Sequence, residues 1–222
     1  MAEAKETLIL FQGDSITDGK RLRGKENEWD LNHQMGHGYA FIVNARLGAQ
    51  YPQSGLRFVN RGISGNRVAD LYGRWKEDTL NLRPDVLSVL VGINDVGSTI
   101  WEQSGSDPVR YARIYRMLLD EMLAINPQTL LVLMEPFVMP VGAREKDYEA
   151  WISLLRPLQR EVKRAAGDYH AVYVPLQERF ERLSAQTGPA YWCWDGVHPT
   201  VCGHQVIAEA WMEQVVPHLN LH

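Results

Sequence analysis

Cysteine is nearly absent, with only Cys193 and Cys202 in 222 residues. That excludes the disulfide framework of a small secreted domain, and two free thiols are expected. No block of like charge occurs either: 23 Lys and Arg are scattered among 27 Asp and Glu, for a net charge of −4. Without a basic field, nucleic acid is not an expected partner. The apolar run Thr7-Leu8-Ile9-Leu10-Phe11 stops at Gln12 and Gly13, too short for a signal-peptide core or a membrane span. No membrane partner and a cytoplasmic location are therefore expected. No Asn-x-Ser/Thr sequon, internal repeat or low-complexity linker is found. With 45% hydrophobic residues to build a core, a single domain over residues 1–222 is the expectation.

What is present is an alternation of strand-like and helix-like segments. Short apolar runs at 7–11, 56–59, 85–91, 129–134 and 171–174 read as five strands. Between them, helical spacing predicts helices over 39–50, 68–82, 108–125, 147–166, 176–187 and 200–216. Pro157 implies either a kink in the fourth of these helices or two separate helices, and Gly167 is its expected C-cap. Alternation of this kind predicts an α/β fold, a three-layer α/β/α sandwich around a five-stranded parallel sheet. Right-handed crossovers then bring all the strand ends that carry polar turns to one edge.

The first strand ends at Gly13-Asp14-Ser15-Ile16-Thr17, and far along the chain stands Asp195-Gly196-Val197-His198-Pro199. A serine at a strand end, an imidazole and a carboxylate three residues before it are the types that nucleophilic catalysis needs. Asn60-Arg61-Gly62-Ile63-Ser64-Gly65-Asn66 and Gly92-Ile93-Asn94-Asp95 follow the second and third strands. Taken singly, each has an ordinary explanation: a turn, a helix cap, a helix entry.

Together, in this order, the four blocks resemble the SGNH hydrolases, also called the GDSL family of esterases and lipases, over residues 13–199. Ile16 stands where the family name implies leucine. The resemblance implies a catalytic set of Ser15, Asp195 and His198. It also implies an oxyanion hole of the backbone N–H groups of Ser15 and Gly62 and the side-chain amide of Asn94. No cofactor and no metal are implied. Asp14 and Asp95 are expected to brace their loops and are left out of the catalytic set. Within the family, the Trp194-Asp195 pair and the long loop after Ser15 look like carbohydrate acetylesterases, intracellular ones acting on acetylated xylan fragments included.

Other readings compete. Gly13 to Lys20 is a poor phosphate loop, because its glycine spacing is wrong and Arg21 stands where Ser or Thr is required. Cys193, His198, Cys202 and His204 lack the Cys-x-x-Cys spacing of a zinc site. A flavodoxin-like binding module without catalysis remains an alternative, as does a thioesterase or lysophospholipase of the same family. For the substrate, Trp194, Trp192 and Trp29 are candidate platforms for sugar rings, Trp101 sits in a stretch that could reach the same edge, and core packing is the alternative for each. The loop over 18–38 reads as a lid or as a solvated insertion. Seven tryptophans and nine tyrosines supply surface for a homo-oligomer.

Overall fold

The computed structural model describes residues 6–24 and 32–222. Five parallel strands form one sheet in the order β2-β1-β3-β4-β5: β1 Thr7–Gly13, β2 Leu56–Asn60, β3 Val86–Leu90, β4 Leu130–Met134 and β5 Val172–Val174. The central strand and its neighbours are almost wholly buried. All five residues of β3 are buried, as are six of the seven in β1, which fits strands covered on both faces. Phe11 of β1 lies in register with Ser88 of β3, and Gly13 with Leu90.

Nine α-helices connect and cover these strands among the described residues. They are α1 Ser15–Asp18, α2 Tyr39–Gln50, α3 Val68–Gly73, α4 Trp75–Asp78, α5 Ile93–Glu102, α6 Pro108–Ile125, α7 Tyr148–Asp168, α8 Gln177–Thr187 and α9 Val201–Val215. One layer pairs α2 with α9, and the other packs α3 and α7 against α6. The order and the parallel pairing give the expected three-layer sandwich, with the core on both sides of the sheet. No helix among the described residues is long and apolar enough to cross a membrane.

Three elements differ from the sequence reading. The helix expected over 68–82 breaks after Gly73 into α3, α4 and a 3-10 turn at Leu80–Leu82. The break turns Arg74 onto the loops, where it donates to Gln12 Oε1 (2.9 Å), the Arg61 carbonyl (2.8 Å) and Asn66 Oδ1 (2.7 Å). The next residue, Trp75, goes beneath α6 and donates its Nε1–H to the Leu118 carbonyl. Helix α7 runs on through Pro157, and Gly167 lies inside it, the C-cap being Tyr169. Its buried stripe of Trp151, Ile152, Leu155, Leu158 and Val162 spans the proline. At roughly 1.5–3 kcal/mol for each large apolar side chain, that stripe outweighs the roughly 3 kcal/mol of an interior proline. Third, α5 begins directly after β3, where only a turn was expected. Its cap, Gly92, offers no side-chain acceptor, so the usual start signal is missing from the sequence.

Candidate active site

Ser15 is the first residue of α1, and Asp14 caps that helix by accepting the Ile16 N–H at 3.0 Å. A helix-first residue has no intrahelical acceptor for its own N–H, so the Ser15 N–H and hydroxyl both stand free of the helix's hydrogen-bond ladder. The imidazole arrives from the other end of the chain. Residues 192–200 fold back on themselves, with Thr200 N–H on the Trp192 carbonyl (2.8 Å) and Trp194 N–H on the His198 carbonyl (3.2 Å). The tip is pinned to the loop after β4 by Met139 N–H on the Gly196 carbonyl at 2.8 Å. Thr200 then caps α9 by accepting the Gly203 N–H.

This brings the three residues into one relay. Ser15 Oγ lies 2.8 Å from His198 Nε2, and His198 Nδ1 lies 2.7 Å from Asp195 Oδ2. The other oxygen of Asp195 accepts the N–H groups of Val197 (2.9 Å) and His198 (2.7 Å). Burial pushes the Asp195 carboxyl up, but the bonds from the His198 ring and the two N–H groups prevail and hold it below the usual range. The Asp195 hydrogen bond raises the His198 imidazole above its ordinary value, against burial, which pulls it down. A carboxylate kept ionised on Nδ1 fixes the neutral ring with Nε2 as its basic nitrogen, facing the hydroxyl.

Asp14 and Asp95 stay out of this relay. Burial drives the Asp14 carboxyl up to about 7, against the Ile16 hydrogen bond, and drives Asp95 up to about 6, against the Val68 N–H it accepts at 3.0 Å. Asp14 braces the first turn of α1, which carries Ser15, and Asp95, beside Asn94 in the first turn of α5, ties that turn to the start of α3.

The relay opens into a cleft of about 540 Å³ whose walls include Gly65, Asn94, Trp194 and His204. Asn94, in the first turn of α5, donates one Nδ2 hydrogen to the Asn66 carbonyl at 3.1 Å and keeps its second for the cleft. Gly62, expected in the oxyanion hole, is differently used. Its N–H is held by Asn60 Oδ1 at 2.8 Å and its carbonyl by Arg21 Nε at 3.0 Å. The neighbouring N–H of Ser64 goes to Asp18 Oδ2. Gly65 is what remains: its N–H has no acceptor among the described residues, its φ is +84°, and it lines the cleft. The two glycines look alike in sequence, because only the folded Asn60 and Asp18 side chains distinguish them.

The tryptophans also divide. Trp194 is 63% exposed and lies over His198, ring centroids 5.5 Å apart and planes 17° from parallel. Trp192 is not at the cleft. It packs edge-on against Tyr191 at 4.8 Å in a separate cavity of about 640 Å³ between α8 and α9, which contains none of Ser15, Asn94 or His198. Trp101 belongs to α5, packs edge-on against Trp151 at 5.1 Å and receives Arg144 over its ring. Trp29, and with it residues 25–31 of the loop over 18–38 that reads as a lid or as a solvated insertion, lies outside the described residues. Among the described residues no group of three or more His, Cys, Asp or Glu is arranged to hold a metal ion. Cys193 is buried in the core cluster, apart from Cys202.

The GDSL-like lipase/acylhydrolase family, as a sequence model, matches residues 11–206. The chain belongs to this family. It is 36% identical over 216 residues to an acetylxylan esterase of Geobacillus stearothermophilus, the match covering 93% of each chain. The crystal structure of Axe2, an acetylxylan esterase from the same organism, superposes with a TM-score of 0.81 at 32% identity over 96% of both chains. LAE5, an alpha/beta hydrolase enzyme from the metagenome of Lake Arreo in Spain, gives 0.76 at 32% identity over 94% of both. The protein is a carboxylic ester hydrolase with the GDSL fold.

Proposed function

We propose that the protein removes acetyl groups from the hydroxyls of a sugar or short oligosaccharide through an acyl-enzyme on Ser15. The observation that carries this reading is the relay itself: Ser15 Oγ, His198 and Asp195 in line at 2.8 and 2.7 Å, opening into the cleft. Ser15 Oγ attacks the acetyl carbonyl while His198 Nε2 takes its proton, and Asp195 stabilises the imidazolium that forms. The carbonyl oxygen becomes an oxyanion facing three uncharged donors: the N–H groups of Ser15 and Gly65 and the free Nδ2 hydrogen of Asn94. His198 returns the proton to the departing sugar oxygen. Water then enters, is deprotonated by the same ring, and releases acetate from Ser15. Acetate is the small acyl group that the acetylxylan esterase relatives are named for, and the exposed indole of Trp194 offers a flat face to a sugar ring.

The test measures acetate release from acetylated xylo-oligosaccharides, together with the ratio of rates on acetyl and octanoyl esters of one alcohol. Acetate release with an acetyl preference, both lost in a folded Ser15→Ala protein, supports the reading. An octanoyl preference without acetate release from sugars overturns the carbohydrate assignment, and undiminished turnover by Ser15→Ala overturns the mechanism.

A further inference from the structure

His204 is a buried imidazole in the cleft wall that the mechanism leaves unused. It sits in the first turn of α9, six residues beyond the relay histidine, and is only 7% exposed. Its Nδ1 accepts the N–H of Tyr39, the first residue of α2, at 3.2 Å. A backbone N–H can only donate, so Nδ1 must carry the lone pair and the ring proton must sit on Nε2. The contact is sterically fixed as well. A Cβ on Gly38 would come within 3.2 Å of the ring's Cε1, so the imidazole rests directly on the backbone that leads into α2.

Burial, and next the neighbouring imidazoles of His37 and His198, pull His204 down to about 4. His37 stands at right angles to it, ring centroids 6.5 Å apart. The ring is therefore neutral wherever His198 is able to act as a base, and it holds one tautomer throughout. Its Nε2–H has no hydrogen-bond acceptor among the described residues, although the ring lines the same cleft as Ser15, Asn94 and His198. A donor with fixed direction and no internal partner, on the wall of a substrate cleft, is built to meet an acceptor on the ligand.

The chemistry of the substrate says which acceptor. An acetyl ester has one carbonyl oxygen, which the oxyanion donors take, and a methyl group, which accepts nothing. Any further acceptor belongs to the alcohol half. We infer that His204 is a substrate-binding residue whose Nε2–H donates to an oxygen of the sugar, a ring oxygen or a free hydroxyl next to the acetylated one, and so favours polyol esters over simple alkyl or aryl esters. This rests on the carbohydrate reading above and adds the residue that enforces it.

Two substrates separate the possibilities. Phenyl acetate has no oxygen in its alcohol half beyond the ester, whereas an acetylated methyl xyloside has several. For His204→Met, similar in bulk but without a donor, the ratio of kcat/KM on the xyloside to that on phenyl acetate is expected to fall about tenfold, chiefly through KM. His204→Gln, which keeps an N–H near the Nε2 position, restores most of that ratio. Circular dichroism checks that each variant is folded; should His204→Met fail to fold, the same ratio in His204→Leu, and inhibition of phenyl acetate hydrolysis by free methyl xyloside, read the same contact. An unchanged ratio in a folded donorless variant, or a ratio equally reduced in His204→Gln, overturns the inference. Wild-type protein that hydrolyses phenyl acetate but releases nothing from the xyloside overturns the carbohydrate reading and this inference with it.

Discussion

Asn60 Oδ1 accepts the N–H of Gly62 at 2.8 Å, while its Nδ2 donates to the carbonyls of Thr17 at 2.6 Å and Met35 at 2.9 Å. One buried amide thus ties the end of β2 to the turn carrying Ser15 and to the segment leading into α2. Replacing it by alanine strands one donor and two acceptors away from water, each worth about 1–3 kcal/mol. Asn60→Ala is expected to lose at least about 2 kcal/mol of unfolding free energy, read by urea denaturation, and an unchanged midpoint would show that water satisfies these groups.

The two glycines of the same loop should fail in different ways. A Cβ on Gly62 would meet the Asp18 nitrogen at 2.4 Å, whereas one on Gly65 meets nothing within 4 Å, although φ there is +84°. Gly62→Ala is expected to be mainly a stability defect. Gly65→Ala keeps most of its stability, losing about 1 kcal/mol to the left-handed backbone, and shows its loss in kcat. Thermal unfolding and esterase kinetics on both variants separate the outcomes; a Gly62→Ala protein of native stability and depressed kcat would return that residue to the oxyanion hole.

Asn94→Ala removes the side-chain donor of the proposed hole. The expected cost is about 3 kcal/mol in the transition state, or roughly a hundredfold in kcat, with KM little changed because the oxyanion exists only after attack. Equal activity of the variant would remove Asn94 from the reaction.

In the proposed mechanism turnover requires a neutral His198, whose imidazole is held above its ordinary value by Asp195. The rate should therefore rise with pH through a midpoint above about 6.5, the unperturbed histidine value. Asp195→Asn removes the raising influence, so its midpoint moves to lower pH while kcat drops by about 10⁴. Stability follows the opposite course. Asp14 and Asp95 are raised in the folded state, to about 7 and about 6, and His198 is also raised. Each favours the fold below its unfolded value and loses that contribution as pH climbs through the folded one. Asp195, lowered, contributes above its unfolded value and is lost only on acidification below it. His204, lowered to about 4 by burial, works the other way and gains stability as pH rises to its unfolded value of about 6.5. The urea midpoint should accordingly decline chiefly between about pH 6.5 and 8, as Asp14 and His198 lose their contributions, and Asp14→Asn should flatten the decline. A midpoint that rises over this range would contradict the burial of Asp14.

Trp194 covers one face of His198 and favours its charged form by about 0.5–1 kcal/mol, as an aromatic face does for a cation. Trp194→Ala should lower the midpoint of the pH–rate profile by about half a pH unit and raise KM for acetylated sugars more than for phenyl acetate. An identical profile would reduce the stack to packing.

Much of this was legible in the chain because strands and catalytic turns leave local marks. Val86 to Leu90 could hardly be anything but a buried strand, and Ser15, Asn94 and the pair Asp195/His198 each sit in a distinctive local block. What escaped depended on side chains folding back from a distance. Gly62 and Gly65 look alike until Asn60 and Asp18 have claimed the neighbouring N–H groups. Trp192 and Trp194 both stand just before Asp195 in sequence, yet the 3-10 turn at Pro189–Tyr191 precedes Trp192 and its ring pairs with Tyr191 away from the cleft. His204 offers the sequence only a metal-ligand reading, since its partner, the Tyr39 N–H, lies 165 positions away.

The base and the nucleophile are separated by 183 positions along the chain. During translation, Ser15 leaves the ribosome long before His198 has been made, and the sheet that presents it is complete once β5 emerges. Through that interval the nascent polypeptide carries an unactivated alcohol and hydrolyses nothing. Competence arrives in one step, when α9 docks on α2 and carries the loop at its start into contact with α1. A product that stops before that point lacks both its base and α9, whose buried Trp211 packs on Phe11 and donates to Ser88 Oγ at 3.0 Å, so activity in a lysate counts only chains that extend beyond His198.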